Sequence, residues 1–199
     1  MKLDIEFVRT QFPQIEDEPN FVFCSNAGGS YVARPVIEQL DHYNRHLRVQ
    51  PYNSFHSSAE AGRGMDRACA GWSQALNIGE NELTIAPSTS ISSYVMAQAL
   101  GASWGPGDEI VVTQQDHESN HGVWRRMAEA RGATVREWGV DPVTGLLDPD
   151  RLYALLGDQT RWVFFPHCSN VIGTVNPVAD IVAGVRQHSA ARVCVDAVA

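Results

Sequence analysis

Short runs rich in β-branched and aromatic residues alternate along the chain with longer stretches whose apolar positions recur at helical spacing. The strand-like runs fall at 82–86, 109–113, 134–138, 161–165 and 192–196. Helical periodicity covers 90–104, 119–131, 150–156 and 177–189. Strands that alternate with helices of this length need crossover connections. The pattern therefore predicts an α/β fold, a mainly parallel sheet with helices on both faces. Upstream, Pro35 sits in the first turn of one predicted helix, and a second is predicted over 59–76. Turns are predicted at 79–81 and 141–145, where Gly, Asn, Asp and Pro cluster. No internal repeat or low-complexity linker breaks the order.

In open sheets of this kind ligands gather beyond the carboxyl ends of the strands. Four polar sets stand there: Pro87-Ser88-Thr89-Ser90, Gln114-Gln115-Asp116-His117, Pro166-His167-Cys168-Ser169-Asn170, and Asp196. Hydroxyls beside the free N–H groups of a helix start suit an anion such as a phosphate, and they equally suit a simple cap. Asp196 closes an apolar strand, where a carboxylate needs a partner to offset desolvation. A protonated ring nitrogen would serve, through a charge-assisted hydrogen bond; so would a cap on a following loop. His117 could stack on a flat ligand or bond to backbone. Asn170 could donate to a ligand oxygen or shape a turn with Ser169.

A net charge of -8 speaks against nucleic acid, whose phosphates call for basic stripes. The Arg125-Arg126 pair reads as a solvated helix face. Asp4 and Glu6 interrupt any early apolar run, so no signal peptide is expected and a cytoplasmic location is. No apolar stretch approaches the roughly 20 residues of a membrane span. Cys24, Cys69, Cys168 and Cys194 lack C-x-x-C spacing and are expected to be buried free thiols, Cys24 at the end of an early strand. The sequence contains a single lysine, Lys2.

One motif competes. His117-Glu118-Ser119-Asn120-His121 spells H-E-x-x-H, the zinc-peptidase signature, which requires both histidines on one helix. Here a strand precedes it immediately, and Asp116 or Ser119 is expected to cap the helix, leaving His117 outside. No metal ligand is assigned on this basis.

Four ordered segments resemble the class V aminotransferase and cysteine desulfurase-like group of fold type I pyridoxal 5'-phosphate enzymes. They are Ser25-Asn26-Ala27-Gly28-Gly29; Thr113 to Asn120 with Trp124 following; Ser169-Asn-Val-Ile-Gly-Thr-Val-Asn-Pro177; and Val195-Asp196-Ala197. Coverage runs from about residue 5 to the end. The resemblance implies that Thr89 and Ser90 contact the phosphate and that His117 stacks on the pyridine ring. It also implies that Asn170 approaches the ring hydroxyl and Asp196 pairs with the pyridinium nitrogen. Asn26, Ala27, Gly28 and Gly29 would line the substrate side. On this view 1–50 forms an N-terminal segment carrying that loop, and 51–199 a partial large cofactor-binding domain. Three family features are missing: the Schiff-base lysine in a Ser-x-His-Lys-like segment, the Gln or His three residues after the aspartate, where Ala199 stands, and the persulfide-forming cysteine that desulfurases carry near the C-terminus. Lys2, near the N-terminus, is a poor substitute. The expectation is thus the front portion of an enzyme acting on an amino acid, a homodimer when full length, inactive as this piece alone. Desulfuration or C–S lysis leads, ahead of transamination or epimerisation. A catalytically dead module that binds or complements another chain is the alternative, with the zinc peptidase behind it.

Overall fold

A computed structural model describes residues 3–199, so Lys2 lies outside the described residues. The chain divides into two compact units, Met1–Ile85 and Ala86–Ala199.

The first unit is helical. α1 (Ile5–Thr10) is capped by Asp4, whose carboxylate accepts the Phe7 N–H at 3.0 Å. α2 (Pro13–Asp17) carries proline in its first turn, where its missing N–H costs nothing. Pro35 plays the same part in α3 (Arg34–His42), which runs into a π-helical turn, Tyr43–Leu47. α4 (His56–Leu76) ends at Asn77 in the left-handed region, a conformation asparagine tolerates. The division expected after residue 50 falls inside this unit. Fully buried Ser58 spans it, donating to Gln50 O and accepting from the Asn53 N–H, and ties the two sides together.

The second unit holds the sheet. α5 (Thr89–Gly101) leads into β1 (Glu109–Thr113), α6 (Glu118–Arg131) and β2 (Thr134–Trp138). Then come α7 (Pro149–Tyr153), β3 (Thr160–Pro166), α8 (Val178–His188) and β4 (Arg192–Asp196). The strands are all parallel, in the order β2-β1-β3-β4. Central β1 and β3 are covered on both faces, which is why they read as continuous apolar runs. On one face Ile110, Val112 and Phe164 pack with Ala97 of α5 and Trp124, Met127 and Ala128 of α6. Trp124 stacks on Phe164 with centroids 4.1 Å apart. On the other face Val111, Val163 and Phe165 meet Leu152 of α7 and Ile181 and Val185 of α8.

The sequence expectations change for the run 82–86 and for the cysteines. The run 82–86 is not a strand: Glu80–Glu82 is a 3-10 turn, and the extended backbone after it finds no neighbouring strand among the described residues. Among the described residues β4 has a neighbouring strand on one side only, so Val193, Cys194 and Val195 of its apolar run are half-buried. Cys24 is exposed and lies in no strand, while Cys69, Cys168 and Cys194 are partly buried free thiols.

Candidate functional site

Parallel pairing brings the carboxyl ends of β1, β3 and β4 to one edge of the second unit. The two helices on the α6 face point their N-termini there as well. α6 starts just beyond β1, and α5 runs alongside it in the same sense. Gly101, at the end of α5, faces Met127 late in α6 so closely that a Cβ would sit 2.2 Å from Met127 Cγ. Thr89 and Ser90 therefore stand on the same edge as His117. Ser88 caps α5 by accepting the Ile91 N–H at 3.3 Å. Thr89 and Ser90 are exposed, their hydroxyls unpaired among the described residues.

His117 is itself the cap of α6, in extended conformation, where Asp116 or Ser119 was expected. Its Nδ1 accepts the Ser119 N–H at 3.1 Å and lies 2.8 Å from Ser119 Oγ, so its ring is exposed but its orientation is fixed. His121 is one turn along the helix. Its Nδ1 faces Glu118 at 3.4 Å and its Nε2 accepts from Arg125 at 2.6 Å, which uses both ring nitrogens on the helix surface. His117 stays outside that helix, as the sequence suggested.

Asp196 closes β4. Its carbonyl accepts the His167 N–H at 2.7 Å and its Oδ1 the Val198 N–H at 3.0 Å. Cys194 pairs in register with Phe164 and packs against the Trp124 cluster. Strand side chains alternate with a period of two, so Asp196 lies on the same face as Cys194, the α6 face. Burial, with Asp116 and Asp196 adding like charge, pushes the Cys194 thiol up to about 11, which makes it inert at neutral pH.

Asn170 sits half-buried in the loop after β3, its amide without a hydrogen-bond partner among the described residues. Neighbouring Ser169 is buried and shapes that loop: its Oγ accepts the Val171 and Ile172 N–H groups and donates to Gln115 O at 3.4 Å. Gly173, at φ 71°, lets the loop turn back so that Asn176 N–H reaches His167 O at 2.8 Å.

Sequence reasoning missed the residues beneath. Gln115 and Asn176 are each 4% exposed. Asn176 Nδ2 donates to Gln115 Oε1 at 3.1 Å and to Pro166 O at 2.8 Å, while Gln115 Nε2 donates to Gly145 O. One buried amide pair thus joins three loops. Asp116, placed by the sequence among the polar residues after β1 and as a cap candidate, accepts from Thr113 Oγ1 and from Asn120 Nδ2, both at 2.7 Å. Asn120 in turn accepts from the buried Trp124 Nε1 at 3.0 Å. Burial and the neighbouring Asp196 push the Asp116 carboxyl above its ordinary range, while Thr113, Asn120 and His121 pull the other way. The one available signal was a polar Gln-Gln-Asp directly after an apolar strand.

Asn26, Ala27, Gly28 and Gly29 lie in the first unit, in an exposed turn closed by Gly28 N–H to Ser25 O at 3.0 Å. Asn26 lines a cavity of about 420 Å³ with Phe12, Phe21, Phe23 and Tyr31. No group of three His, Cys, Asp or Glu side chains suited to a metal ion occurs among the described residues.

Residues 22–199 match the family model described as aminotransferase class-V. An aminotransferase-like protein of Gibberella zeae is 35% identical over 98% of this chain and 49% of its own. A cysteine desulfurase of Serratia proteamaculans is 32% identical over 92% of this chain and 46% of its own. The apo cysteine desulfurase structure from Thermococcus onnurineus superposes with a TM-score of 0.89 at 24% identity, over 99% of this chain and 48% of its own, a likeness of fold. The chain spans about half the length of the curated relatives it matches. That family model spans most of the chain, so the chain belongs to the aminotransferase class-V family.

Proposed function

We propose that residues 86–199 supply the pyridoxal 5'-phosphate-holding wall of an enzyme acting on an amino acid. One observation carries this reading. A carboxylate at the end of β4, the N-terminus of a 13-residue helix and an exposed, oriented imidazole share one edge and one face of the sheet. That donor set fits a flat, phosphorylated ring with a protonated nitrogen. Thr89, Ser90 and the first-turn N–H groups of α5 would take the phosphate. His117 would lie against the ring and Asn170 would donate to its hydroxyl oxygen. Asp196 would hold the ring nitrogen's proton.

Bound there, the cofactor would act as an electron sink for charge developing at the substrate α-carbon. The protein's share is to keep the ring nitrogen protonated through Asp196 and to anchor the phosphate. His117 holds the ring plane, its Nδ1 engaged with Ser119. Desulfuration or C–S lysis of a sulfur amino acid leads, because cysteine desulfurases recur among the relatives; transamination or epimerisation comes second. A full-length homodimer working in the cytoplasm belongs to the same reading.

The second reading is a module that binds the cofactor and complements another chain. Titration with pyridoxal 5'-phosphate, followed by absorbance, tests both. Saturable, noncovalent binding is expected, weakened about tenfold or more by Asp196→Ala, the size of one charge-assisted hydrogen bond. No saturable binding would overturn the cofactor assignment. A borohydride-stable adduct, seen by intact mass, would overturn the account of the lysine instead.

A further inference from the structure

We propose that Asp116 is a positioning residue of this same site, a second fixed carboxylate that works with Asp196 to keep a bound ring nitrogen protonated. The inference rests on the cofactor reading above and extends it to a residue that the sequence set beyond β1 without a role toward the cofactor.

Both Asp116 oxygens are committed as acceptors, Oδ2 to Thr113 Oγ1 and Oδ1 to Asn120 Nδ2. The direction of the first bond is fixed from behind. Thr113 Oγ1 itself accepts the Gln115 N–H at 3.2 Å, which turns its own hydrogen toward Asp116. Asn120 is held likewise, its Oδ1 taken by Trp124 Nε1 inside the stacked core. This scaffold suits the ionised carboxylate and holds it at the N-terminal end of α6, on the face that carries Asp196. The groups facing Asp116 are Asp196 and Cys194 from β4 and His121 from α6. Cys194 stays protonated, and His121 has both ring nitrogens engaged on the helix surface. Two carboxylates thus face one region, with His121 of α6 the basic group beside Asp116. Burial makes Asp116 costly to ionise, and a cation at Asp196 relieves that cost.

The test uses 4-deoxypyridoxine 5'-phosphate, an aldehyde-free analogue that forms no covalent bond, with affinity measured by fluorescence from acid to alkaline pH. Wild type is expected to bind more weakly as the ring nitrogen loses its proton. Asp116→Asn should lower that midpoint by about one pH unit, a tenfold loss at a pH above it. The substitution is expected to fold, because the Thr113 hydroxyl can rotate to accept from the new amide. Asp116→Glu, which keeps the charge but alters the shape, should return the midpoint toward wild type. Asp196→Asn should remove most of the pH dependence. A midpoint unchanged in Asp116→Asn, or moved as far by Asp116→Glu, overturns the proposal and leaves the cofactor reading intact. A wild-type midpoint equal to that of the free analogue overturns it without any variant. Failure of wild type to bind the analogue at any pH overturns the cofactor reading, and this inference with it.

Discussion

Asp116 is a residue whose burial works against the fold at neutral pH. Its folded carboxyl is raised from the ordinary value of 3.8, chiefly by burial, so the folded chain binds that proton more tightly than the unfolded chain does. The stability it contributes is present in full below the unfolded value and is lost as pH rises through the folded one. Asp116→Asn is therefore expected to melt above wild type at neutral pH, with a gap that closes on acidification toward pH 3.8. Thermal unfolding followed by circular dichroism across that range checks it; a gap that widens toward acid would contradict the sign. The cysteines separate on the same physics. Exposed Cys24 should react with iodoacetamide well before Cys194, whose thiol is held near 11, and peptide mass spectrometry reads the order. The places of Asp196, His117, Asp116 and Gln115 beyond strand ends were legible in the sequence, because the apolar runs before them are unmistakable. The partners of Asp116 and Gln115 were not, since they lie far along the chain or in the core: Asn176 is 61 residues from Gln115, and the Asp116 scaffold ends on buried Trp124.

Strands carried the clearest signal among the elements. β1, β2 and β4 begin and end where their β-branched runs do, and β3 extends one residue further at each end. The run 82–86 misled because an apolar, β-branched composition describes a half-buried surface and not a hydrogen-bonded neighbour. α1 and α2 escaped notice because helices of 6 and 5 residues hold too few turns to set a period; their signs were the Asp4 cap and Pro13. Loops depend on what they touch. The turn predicted at 141–145 is sealed locally by Asp141 Oδ1, which accepts the Val143 and Thr144 N–H groups at 2.9 Å. Its placement against the 169–175 loop depends on Gln115 and on Ile172, whose Cδ1 would lie 3.0 Å from a Cβ on Gly145. Gln115→Ala leaves Gly145 O and one bond of Asn176 unmet, a loss of about 1–3 kcal/mol. The amides of Gly173 and Asn176 are expected to exchange hydrogen faster in that variant while those of β2 stay unchanged. Uniform acceleration across the sheet would mean that Gln115 supports the whole unit and not this loop pair.

Across the sheet of the second unit, β2 and β4 share a liability: among the described residues each pairs with a strand on one side only. They differ in how they manage it. β2 carries Arg136 and Glu137, held by Glu109 and Arg125 in surface ion pairs, which discourage a further strand. β4 presents Val193, Cys194 and Val195, half-buried and apolar, with a charge only at each end. A groove lined by Trp162, Val182, Arg186, Val193 and Val195 runs beside it. Hydrogen exchange at several protein concentrations separates the two edges. At high dilution β1 and β3, which hold most of the strand side chains with no exposure, should be the slowest strands, with β2 and β4 both faster. As concentration rises, β4 amides are expected to gain protection and β2 amides to stay as they were, because only β4 has an edge that another strand would pair with at little cost. Equal gains on both edges would show that backbone availability alone governs association and that the charges on β2 protect nothing. No gain on either would mean that the ends of β4, Arg192 and Asp196, already suffice to keep its edge open.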